Sequence, residues 1–488
     1  MLPELSRMPA TRASNVSVMR CPILAYVAAL LSAIPLRAGV EVGRILIKNA
    51  VLFTLQADET SPRRGYLLAG DDGKILRIGY GDPPPGIRAV QTLDESGKML
   101  MPGFVSAHSH AYQAATRGLG TDQALDGWLT ANWPYWHVSA ADHYYDTLAG
   151  CFDLLRHGIT TAYNFNDGNG QQDFDIEGFK AELASGIHFV HGYCLPIKGT
   201  RESRTSDFEA FYAYTRTFAG KTSFLGISLG GYACVAPDKD YALLEGEIMQ
   251  KYGLYNQAHY LESALPSEVQ EQRSRFGWFV ESGELGPKLA FAHLVHPDDA
   301  ILGKIAAAGA AMVWNPLSNG RLASGTADIP KLRSLGIRIG MGVDGQASAD
   351  IADPFENMRS GLYAVRAKYQ DASVLQPRDV LGYHTLGAAD VIGVAGRVGS
   401  LERGKFADFL IIDPHKMETG PVFDPYGTLV LGCGTANIEK VYVGARLVVD
   451  NGNLVNPDFA RVTAEVSGRM ARLKAALEAS AEPAPSPR

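Results

Sequence analysis

Pro102-Gly103-Phe104-Val105-Ser106-Ala107-His108-Ser109-His110 is an apolar run that ends in two histidines spaced i, i+2. Read as a strand, that spacing turns both imidazoles to one face, where a single metal ion could meet them. The pair alone decides little, because 12 histidines in 488 residues give about 0.3 such pairs by chance. Its surroundings decide more. From Pro102 to about Gly393, short apolar runs such as Ile187 to Val190, Phe224 to Leu229 and Leu289 to Ala292 alternate with helical stretches. That texture predicts βα units around a parallel sheet, and a segment of about 290 residues suits a (β/α)8 barrel.

The strand-ending pattern recurs. Asn256-Gln257-Ala258-His259-Tyr260-Leu261-Glu262 closes an apolar segment with a histidine and, three residues on, a glutamate. His259 would supply a third neutral imidazole, while Glu262 would sit beside the metal as a proton shuttle. Leu289-Ala290-Phe291-Ala292-His293-Leu294-Val295-His296 ends another run in His293, and Ile337 to Gly345 ends in Asp344. In a barrel of this kind the C-terminal strand ends meet at one mouth, where catalytic side chains lie.

The flanks read differently. Arg44 to Leu55 and Gly65 to Ile78, the latter turning at Gly70-Asp71-Asp72-Gly73, have strand character. Strands return in Ala407 to Ile412 and in Lys440 to Val449, with a hairpin turn near Gly444-Ala445. Pairing these fragments stabilises both, so a discontinuous β layer built from the two ends is expected. The organisation expected is therefore α/β: a TIM-like barrel over 102–395 and a small β-sandwich domain in two parts, 39–101 and 396–455. Residues 456–488 are expected to form a C-terminal helix and a disordered tail, because the end is rich in proline.

Arg7, Arg12 and Arg20 precede an apolar stretch from Cys21 to Pro35, followed by Leu36-Arg37-Ala38-Gly39. This is the pattern of a signal peptide over 1–38, too short to anchor the chain in a membrane comfortably. Export to the periplasm or beyond is the expectation, with a cytoplasmic chain from a later start as the alternative. Forty-five basic against 52 acidic residues, without a basic run, argue against a nucleic-acid partner. The five cysteines form no C-x-x-C pair, so a zinc knuckle or disulfide framework is not indicated and buried thiols are expected. Gly168-Asn169-Gly170 and Gly230-Gly231 lack the context of a dinucleotide site, and no G-x-S-x-G elbow points to a serine hydrolase.

In order, the segments PGFVSAHSH, HYLE, AHLVH, NPLSN and GVDG resemble the amidohydrolase superfamily, in its cytosine deaminase, methylthioadenosine deaminase and triazine hydrolase branch. The resemblance covers about residues 40–455 and implies a barrel with a β-sandwich from both chain ends. It further implies that His108, His110, His259 and Asp344 bind one divalent metal, usually zinc and sometimes iron, with Glu262 and His293 lining the reacting centre. Such a metal keeps a water position and lowers that water's pKa toward about 7, so that hydroxide is available. Asp344 can then take a proton, Glu262 can protonate a ring nitrogen, and His293 can hydrogen-bond the hydroxide or the developing oxyanion. Two-metal members usually carry a carboxylated lysine at the fourth strand; Phe224 to Cys234 contains no lysine, which favours one metal.

The departures bear on substrate. A glutamate after a Trp-Leu segment binds ribose in the adenosine-type relatives; alignment through Trp128-Leu129 puts Trp136 or His137 there. The relatives' Pro-His near the fourth strand is replaced by Gly231-Tyr232-Ala233-Cys234-Val235, and the histidine before Asn-Pro by Trp314. These changes point to a flat, nonribosylated heterocycle with Tyr112, Trp128, Trp136 and Trp314 as walls, each open to a purely packing role. Arg117 is a candidate contact for an anionic or carbonyl group, with a surface ion pair as the alternative. The activity expected is aminohydrolysis, that is, deamination of an N-heterocycle. The alternatives are hydrolysis of another C–N, C–Cl or amide bond on the same site, or a noncatalytic binding protein. A small-molecule substrate is the expected partner, and self-association into a homo-oligomer stays open.

Overall fold

The computed structural model describes residues 41–56, 59–136, 138–167, 172–236 and 238–481. The expected signal segment, His137 and the end of the tail lie outside them. The described strands are, in chain order, β1 (Glu41–Leu52), β2 (Arg63–Ala69), β3 (Ile75–Tyr80), β4 (Ile87–Asp94), β5 (Met99–Pro102), β6 (Phe104–His110), β7 (Ile159–Asn166), β8 (His188–Tyr193), β9 (Phe224–Gly231), β10 (Tyr255–Tyr260), β11 (Leu289–His293), β12 (Ala311–Trp314), β13 (Arg338–Met341), β14 (Asp344–Gly345), β15 (Phe409–Ile412), β16 (Ile438–Val443), β17 (Arg446–Asp450) and β18 (Asn453–Leu454). They form two nine-stranded sheets.

The first sheet is parallel, in the order β13-β12-β11-β10-β9-β8-β7-β6-β14. Its strands β6, β7, β8 and β11 are buried at every position, as parallel strands covered on both faces must be. The ends of this sheet are linked by the chain itself. β13 passes through Gly342 and Val343 into β14, which pairs with β6 as Asp344↔Ser109 and Gly345↔His110. Gly342 is required there, since a Cβ would lie 2.7 Å from the backbone nitrogen and oxygen of His108. The arrangement is consistent with a TIM-like barrel, and it brings the far end of the sequence against the histidine pair.

The second sheet is mixed, with β18-β17-β16-β15-β5-β1-β2-β3 in line and β4 paired to β1. Strands from both ends of the chain join where β5 pairs antiparallel with β15, Met99↔Ile412 to Pro102↔Phe409. The β layer expected from both chain ends takes the form of one branched sheet, in which hydrogen bonding connects all nine strands. The branch is in β1. Its first part pairs with β4 as far as Lys48↔Asp94, and its last two residues pair with β5. Between them Asn49 adopts a left-handed conformation (φ 65°) and the register against β2 shifts, a bulge that re-aims the strand. Ile45, Ile47, Leu67, Leu100, Phe409, Ile411 and Tyr442 form the apolar core of this layer.

β5 continues into β6 across Gly103, so the two sheets share the stretch that ends in the histidines. The helix Ala140–Arg156, capped reciprocally by Ser139 and Asp142, packs behind the turn that follows His110. The C-terminal helix Phe459–Ala481 docks on it through Arg469, 2.6 Å from Asp142 and stacked over Tyr145. Cys151, Cys194, Cys234 and Cys433 are buried free thiols. Among the described residues, no helix is long and apolar enough to cross a membrane.

Candidate active site

Four strands bring five side chains together at one mouth of the parallel sheet. β6 contributes His108 and His110, β10 contributes His259, β11 ends in His293, and β14 begins with Asp344. All five side chains are at most slightly exposed. His110 Nε2 lies 3.2 Å from His108 Nε2 and 3.1 Å from His259 Nε2. Asp344 Oδ1 is 3.5 Å from both His108 Nε2 and His110 Nε2. Glu262, two residues beyond β10, brings Oε2 to 3.5 Å from His293 Nε2, which is 3.9 Å from Asp344 Oδ2.

The hydrogen-bond partners on the far side of each ring say which nitrogen is bare. His110 Nδ1 faces the Phe165 carbonyl at 3.1 Å, and a carbonyl only accepts, so Nδ1 donates and Nε2 keeps its lone pair. Gln257 uses its Nε2 to donate to the Ala107 carbonyl at 2.8 Å. Its Oε1 therefore accepts from His108 Nδ1 at 2.5 Å, which leaves His108 Nε2 bare as well. Partners of this kind orient metal-binding imidazoles and raise their basicity. Ligand atoms about 2.0–2.2 Å from a tetrahedral ion lie about 3.3–3.6 Å from one another, so three imidazoles and a carboxylate at these separations fit one metal ion.

His293 is turned the other way. The Asn319 side-chain amide donates to its Nδ1 at 2.9 Å, so the hydrogen sits on Nε2, toward the centre. Burial holds the ring neutral and lowers its pKa to about 3. Burial, then His108, His110 and His293, lowers His259 well below the usual histidine range. For Asp344, burial acts upward, but the hydrogen bond and charge of His108, with His293 and His110, carry it well below the usual carboxylate range. Ser318 donates to its Oδ2 and the Gly345 amide to its Oδ1. Glu262 moves the opposite way: burial and the neighbouring Asp344 charge raise it well above the usual carboxylate range, which favours its protonated form. His293 and Asp344 both have left-handed backbone, φ 71° and 61°. Such conformations are strained for these residues and persist where packing over-determines them.

A cavity of about 770 Å³ opens above this cluster, with His110, His259, Glu262, His293 and Asp344 at its floor. Tyr112, Trp128 and Trp136 line one wall. Trp128 and Trp136 pack at 64° with centroids 5.2 Å apart, and their indole N–H groups are engaged by the Ala347 carbonyl and Thr116 Oγ1. Their rings are thus fixed as apolar surface. Trp314 and Arg117 lie elsewhere. Trp314 is fully buried beneath the strand end, where its ring packs on Gly361 so closely that a Cβ there would lie 2.6 Å away. Arg117 is outside the cavity lining and pairs with Asp153 at 2.5 Å.

Several residues that shape the site were not singled out in the sequence. Gln257 carries a readable signal, since it stands i−2 to His259 on the same strand and so on the same face. Asn319 and Ser318 lie in the NPLSN segment, but nothing in their type distinguishes them from helix-capping residues. Asp167, Tyr232, Cys194 and Trp133 also line the cavity. Asp167 follows β7 directly, and its residue type alone gives no local sign of this place.

Residues 99–455 match the amidohydrolase family. The 5-methylthioadenosine/S-adenosylhomocysteine deaminase of Symbiobacterium thermophilum is 29% identical over 441 residues, 88% of this chain and 99% of that protein. Among solved structures, an adenosine deaminase from Xanthomonas campestris with bound zinc superposes with a TM-score of 0.81 at 21% identity, covering 89% of this chain and 99% of that one. The zinc complex of atrazine chlorohydrolase from Arthrobacter aurescens does so with a TM-score of 0.75 at 20% identity, covering 87% and 100%. At those identities the two structures speak for the fold. Because the family match begins at β5 and runs past β18, taking in the whole parallel sheet, the chain belongs to the amidohydrolase family.

Proposed function

We propose that this chain is a metal-dependent aminohydrolase that replaces an exocyclic amino group of a flat, nonribosylated N-heterocycle with oxygen. One divalent ion is used, zinc in the first instance and iron as the alternative. The observation that carries the reading is the opposed protonation of one cluster: bare Nε2 atoms on His108 and His110 beside ionised Asp344, with a Glu262 whose protonated form is favoured and an Nε2–H on His293 next to them. Pairs of titratable groups driven apart by their surroundings mark acid and base roles.

His108, His110, His259 and Asp344 would hold the ion, which when bound supplies Lewis acidity and a water whose pKa is lowered to about 7. Asp344 takes the proton of the attacking water on its carboxylate. Glu262 gives its proton to the ring nitrogen beside the reacting carbon, which makes that carbon a better electrophile. His293 directs Nε2–H at the developing oxyanion. The amino group then accepts the proton held by Asp344 and departs as ammonia, while the hydroxyl proton on the reacting carbon returns to Glu262, so that water and the amine give the oxo ring and ammonia with both carboxyls restored. Trp128, Trp136 and Tyr112 form a wall suited to a planar ring, and the absence of a carboxylate at Trp136 or His137, the position that the resemblance gives to ribose binding, supports a free base. The Symbiobacterium relative is named for adenosine-type nucleosides, so nucleosides are the counter-test.

The test is ammonia release by the purified, zinc-loaded chain from a panel of aminated purines, pyrimidines and triazines, each with its nucleoside where one exists. Chloride and amine release are measured in parallel. Ammonia from free bases, abolished by chelation and restored by zinc, is the expected result. Release of chloride or an alkylamine without ammonia would transfer the site to another leaving group, and preference for nucleosides would overturn the free-base assignment.

A further inference from the structure

One carboxylate of the cavity is used by none of the roles above. Asp167, the residue after β7, has a side chain 22% exposed and lines the cavity. Its Oδ2 accepts from the Tyr112 hydroxyl at 3.0 Å, and its Oδ1 accepts from the Tyr232 hydroxyl and from Cys194 Sγ at 3.6 Å. An ionised carboxylate offers about four acceptor positions; two phenols and a thiol leave one of them for a ligand. His110 Nδ1 is 3.4 Å away, but its hydrogen is directed to the Phe165 carbonyl.

The rest of the cavity has the same bias. Away from the metal-binding cluster, Arg275 is engaged by Glu271 at 2.5 Å and by the carbonyls of Cys234 and Ala236. Among the described lining residues, Asp126, Asp167 and Glu268 then stand against Lys198. Trp128, Trp133 and Trp136 add aromatic faces, which attract cations as well as flat rings.

We propose that Asp167, clamped between the hydroxyls of Tyr112 and Tyr232, is the specificity-determining residue of the cavity. It reads an amino-bearing or protonated edge of the substrate ring, so the class taken is amine-rich or cationic N-heterocycles and not oxo-rich, anionic ones. This deepens the aminohydrolase reading and rests on it for the identity of the substrate, though not for the preference in binding. The clamp fixes the carboxylate on the wall of the cavity that Glu262 and His293 also line, where it meets an edge of a ring bound there. A charge-assisted hydrogen bond forms there with N–H donors, whereas a carbonyl oxygen or an anionic ring nitrogen would be repelled.

The test compares two rings of one size, 2,4,6-triaminopyrimidine and barbituric acid, by titration calorimetry on the zinc-loaded full chain. Tighter binding of the triamino ring is expected. Asp167→Asn should weaken that ring by about 10- to 100-fold, the range for a hydrogen bond to a charged group, while leaving barbituric acid unchanged or tighter and the zinc content unchanged. Tyr232→Phe, which removes one hydroxyl of the clamp, should shift the same preference by a smaller factor. Equal binding of the two rings by the parent chain, equal losses for both in the variants, or loss of zinc with Asp167→Asn would overturn the assignment, the last by making Asp167 a support for His110. Ammonia assays separate the two readings. Asp167-dependent binding without ammonia from any ring sinks the reaction and keeps the subsite, whereas ammonia release with no selectivity between the rings does the reverse.

Discussion

Gly150, in the middle of the helix Ala140–Arg156, lies directly against Ala111, the residue after His110; a Cβ at position 150 would overlap the Ala111 carbonyl oxygen. The missing side chain lets the helix press on the turn that leaves the metal-binding strand. Gly150→Ala should cost about 1–3 kcal/mol through overpacking and weaken metal binding by displacing His110. Gly303→Ala, in an exposed helix where a Cβ would meet nothing within 4 Å, is the comparison and should be neutral or stabilising by up to about 1 kcal/mol. Chemical denaturation and zinc titration of both variants measure this, and equal behaviour would remove the packing argument.

Gln257 reaches from β10 to β6, receiving the His108 hydrogen and donating to the Ala107 carbonyl. Gln257→Leu keeps the bulk but removes both bonds, freeing the ring to rotate and change tautomer. Metal affinity should fall about 10- to 100-fold, as for other partners of metal-binding histidines, with the fold retained. Competition against a chromophoric chelator gives the value directly.

Glu262 shows an acid's features without a ligand's: its protonated form is favoured and it faces His293. Glu262→Gln should keep stoichiometric metal and lower kcat by about two to four orders of magnitude. Metal analysis beside steady-state kinetics decides the matter, and loss of the ion from this variant would make Glu262 a ligand.

Asp175 is fully buried behind β7, accepts from Asn166 at 3.0 Å, and burial raises its carboxyl to about 7. An acid whose folded pKa lies above its unfolded value, 3.8 here, binds more protons in the native state between the two values. Its contribution therefore declines as pH rises from about 4 to about 7, and the loss is complete above that. At 1.36 kcal/mol per pH unit the bound on that loss is about 4 kcal/mol. Asp175→Asn should remove the decline, so that the variant gains on the parent at pH 8 relative to pH 5. Denaturation midpoints across that range should converge toward acid pH; parallel curves would refute the assignment.

The residues that sequence reading found most readily are those whose type and position carry the signal together. His108 and His110 stand out because strand alternation places them on one face, and His259, His293 and Asp344 because each closes an apolar run. Trp314 closes one too, yet it turns under the sheet onto Gly361, since a strand end gives the position of a side chain but its face depends on the neighbouring helix. Asp167 was invisible for a related reason: its partners Tyr112, Cys194 and Tyr232 come from three other strand ends, and only the assembled sheet brings them together. The branching of β1 escaped notice because it turns on one asparagine backbone, and Asn49 sits inside a run whose composition reads as uninterrupted strand.

The pairing of β5 with β15 has a consequence for how the protein is made. At a synthesis rate of about 5–20 residues per second, a stretch of some 300 residues emerges from the ribosome in about 15–60 s, and throughout that interval the edge of β5 from Met99 to Pro102 awaits its neighbour. An apolar edge exposed for so long invites pairing with other nascent chains, so chaperone engagement during translation should concentrate before Phe409 emerges and fall once Ile412 has cleared the exit tunnel.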